Sequence, residues 1–334
     1  MPRPADEALG AALQAVLAST LDDPDLRVDD LRRLSGGASR ETFSFDAVGA
    51  DGARRPLVLQ RERPGGAINT GGGTSAEAAL LRAAAAQGVP VPAVVATGPR
   101  PTDGDGPLSA PYVVVERLDG ETIPRRILRD DEFADARSRL AGQCGRALAG
   151  IHRIPTDQAP GLRHIDQVTQ FRDLLDALGQ PHPAFELAFR WLEGNRPPAG
   201  PTAVVHGDFR NGNLIVGPDG LRAVLDWELA HRGDPREDLG WLCVKAWRFG
   251  GQPPVGGFGS YDDLFAAYGD AAGLAGGVDP EVVRWWEVLG TVKWGIMCII
   301  QAASHLSGIS RSVELATIGR RVCENEHDVL ALLP

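Results

Sequence analysis

Apolar positions recur along the whole chain, and their period changes once. Leu9, Leu13, Val16 and Leu17 have helical spacing near the N-terminus. Residues 31–34 and 42–45 read as short strands flanking Ser35-Gly36-Gly37-Ala38-Ser39, and 56–61 as a third strand after the Asp51-Gly52 turn. Residues 65–73 are glycine-rich. Residues 74–87 are rich in alanine with Leu80 and Leu81; Thr74 or Ser75 as cap and Gly88 as stop predict a helix there. Val89-Pro90-Val91-Pro92 opens an extended segment, and 111–117 is a further strand. After Leu118 the period becomes helical over 133–151, 168–178, 184–192, 238–249, 261–272, 280–306 and 313–332. A loop-strand-strand segment at 204–228 interrupts these helices, and no fixed repeat is visible. The expected fold class is α+β and bilobal. A small β-rich lobe with one main helix spans residues 1–117, and a larger, mostly helical lobe spans 118–334, hinged at Leu118-Asp119-Gly120.

Composition narrows the partners. The chain has 334 residues, 43% hydrophobic and 23% charged, enough for a sizeable core and two lobes. Its 41 glycines and 25 prolines are spread among apolar segments, which means many turns rather than disorder. A net charge of -10 argues against broad binding to nucleic acid or to an anionic membrane, but leaves room for a local basic phosphate site. Cys144, Cys243, Cys298 and Cys323 form no CxxC pair, and three of them sit among apolar residues; buried free thiols in a reducing cytoplasm are expected. Asp6 and Glu7 stand where a secretion signal would carry basic residues, and Lys293 interrupts the apolar run at 288–303, which reads as a buried helix rather than a membrane span. The expected location is the cytoplasm, as monomer or homodimer.

The chemistry concentrates in His206-Gly207-Asp208-Phe209-Arg210-Asn211-Gly212-Asn213. An acid and an amide stand five positions apart, ahead of the apolar residues 214–216. A Gly-Pro-Asp-Gly turn then leads to Val224-Leu225-Asp226-Trp227-Glu228. Singly, Asp, Asn and Gly are common in turns for local reasons. Jointly, on a loop and two short strands, Asp, Asn and Asp form the set that phosphoryl transfer requires. One carboxylate faces the acceptor hydroxyl, while an amide and a second carboxylate hold magnesium against ATP.

This order, with HGDxxxxN and LDWE, resembles the aminoglycoside phosphotransferase family of the protein-kinase-like superfamily. The phrases HGDFRNGNLIV, VLDWELAHRGDPREDLGWL and IGRRVCENEHD are similar to a branch that includes the kinase-like domains fused to acyl-CoA dehydrogenases. The resemblance implies ATP in the cleft between two lobes. It implies Asp208 as the catalytic carboxylate, Asn213 and Asp226 as magnesium ligands, and Arg210 near the transferred phosphoryl group. His206 is expected to support the loop by hydrogen bonding. Ser35, Gly36, Gly37 and Ser39 match the nucleotide loop, where glycines let the backbone approach phosphates. Glu77 matches the glutamate that pairs with a phosphate-binding lysine; a solvated helix-face glutamate is the alternative. Glu116 and Leu118 align with the adenine hinge, whose side chains do not choose between ATP and GTP.

One position departs from the pattern. Gln60 stands where the lysine is expected and brings no charge. Arg61 or Arg63 is a possible substitute by sequence, although Arg61 should point to the opposite face of its strand. Asp238 reads as a cap on the following helix, and Glu228 as either a further metal neighbour or a surface residue. His152 reads as a packed or capping residue. Trp286, Lys293 and Met297 fall on one helix face, as a core stripe with a snorkelling lysine or as the wall of an apolar or acyl pocket. The expected activity is transfer of the terminal phosphoryl group of ATP to the hydroxyl of a small molecule, a hydroxyacyl-CoA-type metabolite or an aminoglycoside. The alternative, motivated by Gln60, is a catalytically weak pseudokinase that binds a nucleotide or metabolite.

Overall fold

The computed structural model describes residues 4–34, 40–62, 73–99, 106–159 and 161–334. Helix α1 (Pro4–Leu21) precedes strands β1 (Arg27–Leu34), β2 (Arg40–Val48) and β3 (Arg54–Glu62). Helix α2 (Gly73–Ala86) and strands β4 (Val94–Gly98) and β5 (Tyr112–Glu116) complete the first lobe. The five strands form one antiparallel sheet in the order β1-β2-β3-β5-β4. Strand periodicity divides its two faces. Phe43, Phe45, Leu57, Leu59, Tyr112 and Val114 pack against Leu9, Leu13, Val16 and Leu17 of α1. Val113 and Val115 turn the other way, into the core that α2 shares with the second lobe. Helix α2 is capped from outside: its Thr74 N–H donates to Glu62 Oε1 at 2.9 Å. That carboxylate satisfies an orphan donor and complements the positive helix end. The cap expected of Thr74 or Ser75 itself is replaced by this cross-strand acid.

The second lobe comprises α3 (Pro124–Arg129), α4 (Ala134–His152), α5 (Gln167–Leu178), α6 (Pro183–Gly194), β6 (Ala203–Val205), β7 (Leu214–Gly217), β8 (Gly220–Val224), β9 (His231–Gly233), α7 (Arg236–Cys243), α8 (Tyr261–Ala272), α9 (Pro280–Leu306), α10 (Val313–Gly319) and α11 (Val322–Leu332). Strand β7 pairs with β8, and β6 with β9. Helix α9 is the spine, packing against α5, α6, α7, α10 and α11. Two expected helices are shorter than their apolar patterns. The one expected over 238–249 stops at Cys243, because Val244 is extended at ψ 131° and a 3-10 turn follows. The one expected over 313–332 divides at Arg320 and Arg321 into α10 and α11. Cys144, Cys243 and Cys298 are free and buried, and Cys323 is free and exposed. Among the described residues, no helix is long and apolar enough to cross a membrane.

Candidate active site

The loop between β6 and β7 presents Asp208, and the surrounding protein holds it from three sides. Its Oδ1 accepts from Trp241 Nε1 at 2.9 Å and from Arg210 Nε at 3.0 Å. Its Oδ2 accepts from Asn213 Nδ2 at 2.6 Å. The same Nδ2 reaches Asp208 O at 3.0 Å, which leaves the amide oxygen of Asn213 as the atom available to a cation. The guanidinium of Arg210 lies 4.6 Å from the centroid of Trp247, so it is stacked as well as paired.

The loop backbone is clamped from below. Asp238 is fully buried; its Oδ2 accepts from His206 N at 2.8 Å and its Oδ1 from Gly207 N at 2.9 Å. His152 Nε2 reaches Asp238 Oδ2 at 3.1 Å, and its Nδ1 meets the Tyr268 hydroxyl at 2.9 Å. Burial raises the Asp238 carboxyl, but His152, His206 and the loop N–H bring it below its ordinary range. Asp238 is thus an anchor of the Asp208 loop rather than a cap. Gly207 has φ +79°, and a Cβ there would meet Leu229 O at 2.4 Å, so the loop can pass only with glycine at this point. Lys293 does not snorkel: its buried Nζ donates to Gly207 O at 3.1 Å and Glu237 Oε1 at 3.2 Å, 4.5 Å from the Trp241 ring centroid.

His206 links the two motifs. Its Nδ1 accepts from Asp208 N at 3.2 Å, and its Nε2 lies 3.1 Å from Leu225 O. Burial holds the imidazole below its ordinary pKa against the pull of Asp238 and Asp208, so the neutral ring donates through Nε2. Leu225 N also donates to Asn213 O at 2.8 Å. Asp226, the next residue, is therefore fixed beside Asn213. It has φ 63°, a left-handed conformation uncommon outside glycine. Its side chain is exposed to solvent, yet the protein around it still desolvates it. That desolvation, followed by repulsion from Glu228, Asp208 and Glu77, pushes its carboxyl up to about 7.

Crowding of carboxylates is the condition that a divalent cation relieves. Among the described residues, no three His, Cys, Asp or Glu side chains are grouped to hold a metal by themselves. Magnesium characteristically uses one or two carboxylates and takes further ligands from phosphates and water, so Asp226 with the Asn213 amide fits it.

The first lobe supplies the opposite wall. Glu77 on α2 is buried and pairs with buried Arg40 of β2, which removes the solvated alternative. Gln60 lies half-buried on β3. Arg61 does point away from Gln60: its Nε donates to Glu41 Oε2 at 2.9 Å and its Nη1 to Pro107 O at 2.6 Å. Glu116 ends β5, where its N–H donates to Ala93 O at 2.9 Å, and Leu118 lies two residues beyond it, before α3. Ser35, Gly36, Gly37, Ser39 and Arg63 lie outside the described residues.

Comparison with known proteins gives the family and the fold. The model of the phosphotransferase enzyme family, which groups the aminoglycoside phosphotransferases, matches residues 30–286, and the chain belongs to that family. Mouse acyl-CoA dehydrogenase family member 10 is 28% identical over 75% of this chain and 24% of its own length. Homoserine kinase of Rhodospirillum rubrum is 29% identical over 52% of this chain and 53% of its own length. The chain thus spans about a quarter of the first relative and about half of the second. Among solved structures, an aminoglycoside phosphotransferase-like protein of Ralstonia eutropha superposes with a TM-score of 0.74 at 18% identity, covering 96% of this chain and 97% of its own. Macrolide 2'-phosphotransferase MphH of Brachybacterium faecium gives 0.58 at 19% identity, covering 97% and 98%. These likenesses establish the bilobal kinase-like fold.

Proposed function

We propose that this protein transfers the terminal phosphoryl group of ATP to the hydroxyl of a small anionic metabolite. The first lobe, 1–117, binds the nucleotide, and 118–334 carries catalysis and the acceptor. The observation that carries the reading is Asp208, held by Trp241, Arg210 and Asn213 on a loop locked by Asp238. Asp208 orients the acceptor hydroxyl and takes its proton as the oxygen attacks the γ-phosphorus. The new O–P bond forms as the bond to the bridging oxygen breaks, and ADP leaves with that electron pair. Arg210 offers guanidinium donors to the transferred group. Asn213 and Asp226 would hold magnesium, which when bound offsets phosphate charge. Most of the rate gain is then positioning and charge stabilisation by fixed groups.

Two cavities support an acyl-CoA-type acceptor over a polycationic aminoglycoside. A groove of about 1030 Å³ is lined by Arg125, Arg129, Lys245, Arg248 and Arg321, of which Lys245 pairs with Asp328, Arg321 with Glu324 and Arg248 with Glu287. It adjoins the Asp208 loop, because Pro124 on its wall approaches Gly212. Arg125 and Arg129, which have no acidic partner among the described residues, suit acceptor phosphates and disfavour a polycation. A second cavity, of about 480 Å³, is lined by Phe171, Leu174, Met297 and Ile300 together with Glu228 and Lys293. Such apolar walls suit an acyl chain. The acyl-CoA dehydrogenase relative points the same way by its name, whereas a solved neighbour holds ADP and hygromycin B.

The test is ADP release with magnesium-ATP and, in turn, a hydroxyacyl-CoA, homoserine or hygromycin B. The account expects release with the hydroxyacyl-CoA. Release with hygromycin B alone would replace the acceptor class. Nucleotide binding with no release for any acceptor would favour the pseudokinase reading that Gln60 motivates.

A further inference from the structure

Strand β3 lacks the cation that should face the nucleotide phosphates, yet the glutamate that would hold it is buried and paired. Its partner comes from the neighbouring strand. Arg40 opposes Glu62, and Thr42 opposes Gln60, in the antiparallel register of β2 and β3. Side chains two apart on a strand share a face, so Arg40 and Gln60 are diagonal neighbours on the side that carries α2. From there the Arg40 guanidinium pairs through Nη1 with Glu77 Oε2. Arg40 and Glu77 are 8% and 5% exposed, so the pair is a built element of the lobe rather than a surface contact.

We propose that Arg40 of β2 has taken over the phosphate-binding position that Gln60 of β3 leaves uncharged, with Glu77 as its positioning residue. The inference rests on the kinase reading above and deepens it. Three observations carry it. The residue on β3 is neutral, while Glu77, which by solvation alone would sit outside, is inside and bound to Arg40. Burial works against the charge of the Arg40 guanidinium, and Glu77 first, then Glu228 and Asp226 of the second lobe, act to keep it. Last, Arg40 Nε is buried and has no hydrogen-bond partner among the described residues, so the guanidinium holds a donor that these residues do not use. A planar fork with one edge on Glu77 and further donors in reserve suits a diphosphate, since guanidinium binds phosphate oxygens in pairs. Arg61 offers no rival, being spent on Glu41 and Pro107 O on the opposite face.

The experiment is calorimetric titration of the full chain and its variants with adenosine and with a non-hydrolysable ATP analogue plus magnesium. Arg40→Gln is expected to weaken the analogue about tenfold or more while leaving adenosine within about twofold. Arg40→Gln leaves Glu77 buried and unpaired, so two further variants keep the test independent of folding. In Arg40→Gln/Gln60→Lys the cation returns to β3, and analogue affinity is expected to recover. In Gln60→Lys alone a second cation meets an occupied place, and affinity is expected to stay equal or fall. Three results would each overturn the role of Arg40: a gain for Gln60→Lys alone, equal losses of adenosine and analogue for Arg40→Gln, or unchanged analogue affinity in that variant. Failure of the unaltered chain to bind the analogue would sink the kinase reading and this role with it. Binding by the unaltered chain with no effect at Arg40 sinks the role alone.

Discussion

At the scale of single residues, the site is defined by what restrains Asp208. Trp241, Arg210 and Asn213 all donate to one carboxylate, which fixes its rotamer before any substrate arrives. Asp208→Asn keeps the shape but loses the proton acceptor. Turnover is expected to fall about 10²–10⁴-fold while magnesium-nucleotide affinity stays within about threefold. A loss of affinity as large as that from Asp226→Ala, measured by the same titration, would contradict the roles assigned. Glu287 gives a second prediction. It is 2% exposed, accepts from Tyr261 and Arg248, and burial pushes its carboxyl up to about 7 despite both partners. Its folded pKa lies above the unfolded value, so the folded state binds more protons between about pH 4.5 and 7. The stability this carries is present below that window and lost as pH rises through it. Urea unfolding at pH 5 and pH 8 checks the slope, which Glu287→Gln is expected to flatten; an identical slope in that variant would refute it. At this scale the sequence was readable where partners are close along the chain, as with Asp208 and Asn213. It was silent where they are distant: Trp241 is 33 residues from Asp208, and Arg40 is 37 from Glu77. A tryptophan in an apolar run carries no mark that its N–H serves a carboxylate.

Among elements, the same division holds for a different reason. Helix α8 at 261–272 and α9 at 280–306 follow their patterns, because Ser260 and Asp279 cap them locally and apolar spacing continues to their ends. Helix α7 does not, since the apolar pattern runs on through Val244 while the backbone there turns extended, at ψ 131°. Strands β1 to β3 run longer than their apolar cores, because cross-strand pairing recruits polar neighbours such as Arg40 and Glu62. Asp238 shows how a helix positions a loop: its place in the first turn of α7 resembles a capping site, but its oxygens serve the backbone two motifs upstream. Gly240 lets α7 and α9 close, as a Cβ would meet Trp286 Cβ at 2.5 Å. Asp238→Ala strands two buried loop N–H groups and the facing His152. It is expected to cost about 3 kcal/mol or more of unfolding free energy together with most activity. Denaturant unfolding reads the first effect; a change below about 1 kcal/mol would mean that the loop does not depend on this anchor.

For the whole molecule, the proposed function lies in how two lobes that share part of one core face each other. The outer core of the first lobe, under α1, is distinct from the core that α2 shares with the second. Arg40 and Glu77 stand on one wall, Asp208, Asn213 and Asp226 on the other, and electrostatic coupling of Asp226 to Glu77 spans the gap. The basic groove beside the Asp208 loop gives an expectation at this scale. Arg125→Ala/Arg129→Ala should raise KM for a hydroxyacyl-CoA about tenfold or more, with kcat little changed. Steady-state kinetics decide it, and an unchanged KM would remove the groove from acceptor binding. Asn213 and Asp226 are proposed to hold a divalent cation against a nucleotide in this cleft. The most direct measurement is calorimetric titration with a non-hydrolysable ATP analogue, with and without magnesium, for the unaltered chain and Asp226→Ala. Magnesium-dependent binding that Asp226→Ala abolishes is the expected result. Binding of equal strength without magnesium or in Asp226→Ala, or no binding at millimolar analogue, would contradict it.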